Sequence, residues 1–183
     1  MNFRIILIKV MNVLILYSST DGHTKDICEY ISKIIRSNNK IEILKIENKT
    51  EINFSIYDLI IIGASIRYGT YRKNFLRFIR KNYHSLKNLK TAFFSVNLVA
   101  RKTDKNSIIT NPYIIKFYKL TNWQPDFVEV FAGKLNYPKY NFINKNIIRF
   151  IMFLTKGPID TTSVTDFTDW NKVRKFALRI NRI

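Results

Sequence analysis

The sequence predicts an α/β domain: a doubly wound, five-stranded parallel sheet with helices on both faces. Three observations predict it. Strand-like and helix-like segments alternate along the chain, and right-handed crossovers turn that order into a parallel sheet covered on both sides. The strand candidates are near-continuous apolar runs, as strands buried on two faces must be. Loops rich in small and hydroxyl residues follow several of these runs, at the carboxyl ends where ligands sit in such sheets.

Taken in order, Val13–Tyr17 (VLILY) is the first buried strand. Thr24–Ser37 follows as a helix, with Ile27, Ile31, Ile34 and Ile35 on one apolar stripe. Ile41–Ile46 alternates as a short strand. Tyr57–Ile62 (YDLIII) reads as a buried strand ended by Gly63. Asn74–Tyr83 reads as a helix with Phe75, Phe78 and Ile79 on one side. Ala92–Val96 (AFFSV) and Phe127–Ala132 (FVEVFA) complete the five strands. Between them Pro112–Leu120 is helical: Pro112 suits a first turn, where no N–H is needed, and Tyr113, Phe117 and Leu120 share a face. Trp170–Ile180 is the last helix, capped by Thr168 or Asp169. No linker or repeat interrupts this order, and 183 residues suit one domain, expected over 11–183. Residues 1–10 read as an N-terminal extension or an upstream start ahead of Met11. They are too short for a signal peptide and lack its small-residue cleavage site.

The chain carries 31 Lys+Arg against 13 Asp+Glu, a net charge of +18. Such a field draws polyanions: nucleic acid, anionic lipid or acidic small molecules. Nucleic acid is set aside, because it leaves the strand-end loops unexplained. Cys28 is the sole cysteine, so no intramolecular disulfide and no cysteine-based metal site can form. Its place on a helix reads as that of a small buried apolar residue. No stretch reaches the roughly 20 apolar residues of a spanning helix.

Three loops carry the chemistry. Ser18-Ser19-Thr20-Asp21-Gly22-His23-Thr24 packs hydroxyls and a glycine at a helix N-terminus, where backbone N–H groups and the helix dipole favour an anion. It lacks the Gly-Lys-Ser/Thr of a Walker loop. Gly63 to Arg72 brackets an Arg67-Tyr68 pair with glycines; its small residues admit a flat ring, on which Tyr68 or Tyr71 could stack. Ser95 to Lys102 offers Asn97, which both donates and accepts, beside the cations Arg101 and Lys102.

The first loop resembles the phosphate loop of the flavodoxins, which hold FMN phosphate through hydroxyls and amides without a lysine. A closer likeness lies in GASIRYG (63–69), FFSVNLVARK (93–102), NWQPD (122–126), AGKLNYPKY (132–140) and TDW (168–170). Together these resemble the menaquinone-dependent protoporphyrinogen IX dehydrogenases of bacterial haem synthesis, from about Met11 to Ile180.

The resemblance implies a flavodoxin-like fold and FMN as cofactor. It implies oxidation of protoporphyrinogen IX to protoporphyrin IX, six electrons in three flavin cycles, with menaquinone or ubiquinone as acceptor. FMN contacts are then expected at Ser19, Thr20, Asp21, Gly22 and His23, at Phe93, Ser95, Val96, Asn97, Leu98 and Ala100, and at Gly133, Leu135, Tyr137 and Thr161. Arg67, Tyr68 and Arg101 are the candidate substrate residues, the arginines meeting propionates. No general base is assigned. Thr20 stands where a basic residue is expected, and glycines are replaced around Lys156-Gly157-Pro158-Ile159. An NAD(P)H-dependent quinone reductase and a flavodoxin-type electron carrier remain open on the same fold.

One segment, at about 140–156, reads as a basic amphipathic insertion. Ile143, Ile147, Phe150, Ile151 and Leu154 share a stripe, with Lys139, Lys145, Arg149 and Lys156 around it. It either packs on the domain's own core or rests on an anionic membrane. The second choice agrees with a peripheral protein on the cytoplasmic side of the inner membrane.

Overall fold

A computed structural model describes residues 10–36 and 39–182. The expectations for residues 1–9 and for the helix end at Ser37 lie outside the described residues. The elements run β1 (Met11–Ser18), α1 (His23–Ile35), β2 (Asn39–Lys45), β3 (Leu59–Arg67), β4 (Thr70–Tyr71), α2 (Lys73–Lys81) and α3 (Tyr83–Lys87). Then follow β5 (Lys90–Asn97), α4 (Pro112–Thr121), β6 (Phe127–Ala132), β7 (Lys134–Asn136), α5 (Phe142–Leu154), β8 (Val164–Asp166) and α6 (Trp170–Ile180).

The main sheet has the order β2-β1-β3-β5-β6, every neighbour parallel. Pleating splits each strand between two cores. Leu14 and Leu16 of β1 join Phe75, Phe93 and Phe117 on the α2/α4 side, while Val13 and Ile15 join Ile27, Ile31 and Phe176 on the α1/α6 side. Each such side chain contributes about 1.5–3 kcal/mol of burial, so the pleat itself fixes which helix covers which face. Helices on both faces reverse the winding between β1 and β3, and the crevice at a reversal is where such sheets bind ligands.

Two boundaries differ from the sequence reading. β3 does not stop at Gly63 but runs on to Arg67 and turns back into β4. Gly63 is required there by its neighbour, since a Cβ would meet the Phe94 ring. The helix expected over 74–83 is broken at Asn82 into α2 and α3. Of the two cap candidates for α6, Asp169 caps, its Oδ1 accepting from Lys172 N. The 140–156 segment is α5, inserted between β7 and β8, which pair antiparallel as a small separate sheet.

Candidate functional site

The cleft lies at the carboxyl ends of β1, β3, β5 and β6, roofed by the β3–β4 hairpin and α5. Its floor at one end is the loop into α1. Gly22 takes a left-handed conformation (φ 93°), which a side chain would strain, and its N–H donates to Ser19 Oγ at 3.0 Å. The loop thereby turns sharply, and the first N–H groups of α1 lack intrahelical partners. The Ser18 and Thr24 hydroxyls are buried without a hydrogen-bond partner among the described residues, and Thr24 lines the cleft. Buried unpaired hydroxyls are costly, so a ligand bearing acceptor oxygens would satisfy them. The loop therefore fits a phosphate.

At the mouth, Arg67 Nη1 donates to Asp21 Oδ2 at 2.6 Å. Its guanidinium lies between the rings of Tyr68 (5.0 Å) and Tyr140 (4.8 Å). Burial opposes its charge, but Asp21 and Tyr68 outweigh that and raise its pKa. Burial in turn pushes the Asp21 carboxyl up, against Arg67 and Lys139. Tyr68 is the first residue of the two-residue hairpin turn, at φ 50° with Gly69 at 74°. Two left-handed residues suit the twist of a hairpin, though a tyrosine there is uncommon and points to function. The Tyr68 hydroxyl donates to Asn144 Oδ1, tying the hairpin tip to α5.

The third loop is locked by its own hydrogen bonds. Asn97 Oδ1 accepts from Ala100 N (3.0 Å) and Asn111 Nδ2 (3.2 Å), while its Nδ2 donates to Ser95 Oγ (3.3 Å). Arg101 donates to Leu98 O (2.8 Å) and to Thr155 O (3.0 Å) and Oγ1 (2.8 Å). It thus fastens this loop to the end of α5, and burial lowers its pKa.

The structure brings together Ser19, Thr20, Asp21 and His23 with Val96, Asn97, Leu98 and Gly133, and with Arg67, Tyr68 and Arg101, all lining the cleft. Gly22 shapes the loop from behind. The others sit elsewhere. Phe93 is fully buried in the α2/α4 core, stacked on Phe117 at 4.1 Å, because its position in β5 points that way. Ser95 lies beneath the cleft, accepting from the Tyr71 hydroxyl at 2.9 Å. Tyr71 is itself core and cannot stack on a ligand. Ala100 is buried behind the cleft, and Leu135 and Tyr137 are buried in the small core under α5. Thr161 is half-buried in the turn after α5, outside the lining.

Sequence reasoning missed the far wall: Tyr140, Ile148, Ile151, Met152 and Thr155. Of α5, only Ile148 and Met152 are buried, while Ile151 lines the cleft at its edge. Most of the stripe read from the sequence is on the outside, Ile151 excepted: Ile143, Phe150 and Leu154 are each more than half exposed, as are Phe142 and Phe153. Also missed was the pairing of Thr168 with the loop, His23 Nε2 lying 2.7 Å from Thr168 Oγ1. The TDW motif was its only signal.

This sheet order, with an anion-accepting loop between β1 and α1, defines a flavodoxin-domain protein. The flavodoxin domain family matches residues 14–162. Among solved structures, oxidised flavodoxin 1 from Bacillus cereus shares the fold: TM-score 0.53, 19% identity, 93% of this chain and 97% of that one covered. A flavodoxin from an archaeon gives TM-score 0.53 at 12% identity, covering 94% and 97%. Two relatives in sequence are each called protoporphyrinogen IX dehydrogenase (quinone). That of Leishmania major is 42% identical over 166 residues, 90% of this chain and 72% of that protein. That of Escherichia coli K12 is 38% identical over 171 residues, 93% and 94%. The chain belongs to this family of quinone-linked protoporphyrinogen IX dehydrogenases.

Proposed function

We propose that the protein is an FMN-dependent oxidoreductase that converts protoporphyrinogen IX to protoporphyrin IX and passes the electrons to a membrane quinone, menaquinone first. Family membership sets the reaction class. The observation that carries the reading is the cleft itself: a lysine-free anion loop with unpartnered hydroxyls at one end, an apolar wall from α5, and an arginine at the mouth.

The loop from Ser19 to Thr24 would hold the FMN phosphate, and Val96, Asn97, Leu98 and Gly133 would line the ring. When bound, FMN supplies the redox chemistry, taking two electrons from the substrate and releasing them to the acceptor. Six hydrogens leave the substrate, so three such rounds balance one product.

The protein's own groups bind and orient. Arg67 is held from behind by Asp21 and by two tyrosine rings, and its remaining N–H groups suit a substrate propionate. Arg101 spends its donors on Leu98 and Thr155, which makes it a fastener of the wall rather than a second propionate ligand. Ile148, Ile151 and Met152 exclude water from an apolar macrocycle.

The exposed stripe of α5 supports a peripheral membrane contact near the quinone, with Lys139, Lys145, Arg149 and Lys156 placed for anionic headgroups. No helix among the described residues is long and apolar enough to cross a membrane.

The test is anaerobic. Protein reconstituted with FMN receives protoporphyrinogen IX, and porphyrin fluorescence is followed with and without menaquinone. Porphyrin formation that depends on the quinone is expected. A flavin-loaded protein that forms no porphyrin overturns the reading.

A further inference from the structure

We propose that His23 is a proton-coupled residue of the anion loop: it takes up a second proton when a phosphate monoester binds there, linking FMN affinity to pH. The inference rests on the FMN reading above and adds which protonation state holds the cofactor.

The tautomer follows from hydrogen-bond logic. Thr168 Oγ1 lies 2.9 Å from Ala132 O and 2.7 Å from His23 Nε2. A carbonyl only accepts, so the hydroxyl gives its single proton to Ala132. It must then accept from His23, which makes Nε2 the N–H and leaves Nδ1 bare in the neutral ring.

That bare nitrogen is buried without a hydrogen bond, yet Asp26 Oδ2 lies 3.5 Å away. Two acceptors face each other. One proton on Nδ1 would convert the contact into an ion pair, with Asp166 Oδ1 3.7 Å from Nε2 on the other side. In the free protein burial holds the pKa of His23 below 6.5, against Asp166 and Asp26. The partner for the proton is in place, and desolvation, with a smaller push from Lys134, keeps the ring neutral.

A bound phosphate shifts that balance. His23 opens α1 and lines the cleft beside Thr24, whose hydroxyl, like that of Ser18, is buried and unpartnered. Around His23 stand Asp26 on α1, Asp166 on β8, Lys134 on β7 and the edge of Trp170 on α6. Nearby, Arg72 donates to Ser19 O, and the charge of Arg67 is matched by Asp21. With His23 neutral, a phosphate dianion arrives beside two carboxylates. Protonation of the ring offsets that repulsion and raises its pKa in the complex.

The chain has two histidines, and His84 is exposed on α3, so imidazole NMR reads His23 against an internal reference. Titrations are run on the free protein, with FMN, and with riboflavin, which lacks the phosphate. FMN is expected to raise the His23 pKa by about one pH unit, and riboflavin to leave it in place. Between the two values the complex holds an extra proton. Affinity is therefore full below the lower value and falls about tenfold as pH rises through the higher one. Flavin fluorescence quenching should show this fall in the parent and not in His23→Gln. The second ionisation of FMN's own phosphate is common to both proteins.

FMN binding with the His23 pKa unmoved overturns the inference and spares the flavin reading. So does an Nδ1–H tautomer in the free protein. Failure to bind FMN at any pH overturns both.

Discussion

Gly63 shows how one missing side chain positions the cleft. A Cβ at this point of β3 would sit 2.3–2.9 Å from three atoms of the Phe94 ring. That ring is itself wedged between Phe131 and Phe176, so it has little room to yield. Gly63→Ala is expected to lower stability by about 1–3 kcal/mol, read as a lower urea midpoint with an unchanged slope. His23 makes a second prediction at this scale. Its folded pKa lies below its unfolded 6.5 because burial penalises the charge. As pH falls through about 6.5 the unfolded chain takes the proton first, so stability present above that pH is lost on acidification. Flavin-free protein should lose melting temperature between roughly pH 7 and pH 5.5, and His23→Gln should flatten that segment of the curve. Cys28 is fully buried in the α1/α6 core, its thiol pushed well up by desolvation, and lies outside the cleft lining.

Among the elements, α5 carries most of what distinguishes this chain from a bare five-stranded sheet. It ends in a Schellman arrangement: Gly157 N–H reaches Met152 O (2.8 Å) and Lys156 N–H reaches Phe153 O (3.3 Å). Lys156 occupies the left-handed position at φ 54°, where glycine is favoured. A lysine in this position, within the stretch where the sequence reading expected glycines, is strained. Lys156→Gly should stabilise the protein by about 1 kcal/mol, measured by chemical denaturation. A Cβ at Gly157 would meet Met152 Sδ at 2.6 Å and force that side chain to shift. Met152 is also the residue by which α5 holds the cleft wall. Met152→Ala should cost about 2–5 kcal/mol and loosen FMN binding with it. If stability falls while flavin affinity does not, α5 is not a wall of the cofactor site.

At the scale of the whole molecule, the sheet was legible because buried parallel strands must be apolar along their length, and VLILY or AFFSV admits few other readings. The short elements were not: β4, β7 and β8 span two or three residues each, too few for a period to show. The cleft was legible where loops follow strands and illegible where α5 closes it. Spacing alone placed Ile143, Ile147 and Phe150 on one face of α5, but not whether that face meets core or solvent. With the face known to be exposed, two forces for the proposed membrane attachment can be separated. The net charge of +18 attracts any anionic surface, at about 1 kcal/mol per Lys or Arg close to it, and salt screens this within about 10 Å. Burying Phe150 and Phe153 contributes about 1.5–3 kcal/mol each and is not screened. Protein mixed with anionic vesicles should therefore sediment at low salt and stay partly bound at high salt. Phe150→Ser with Phe153→Ser should bind at low salt and be released by added salt, its fold unaffected because both side chains are exposed. Lys145→Glu with Arg149→Glu should lose binding mainly at low salt. If both double variants sediment like the parent at every ionic strength, attachment comes from another part of the surface, and α5 serves the cleft alone.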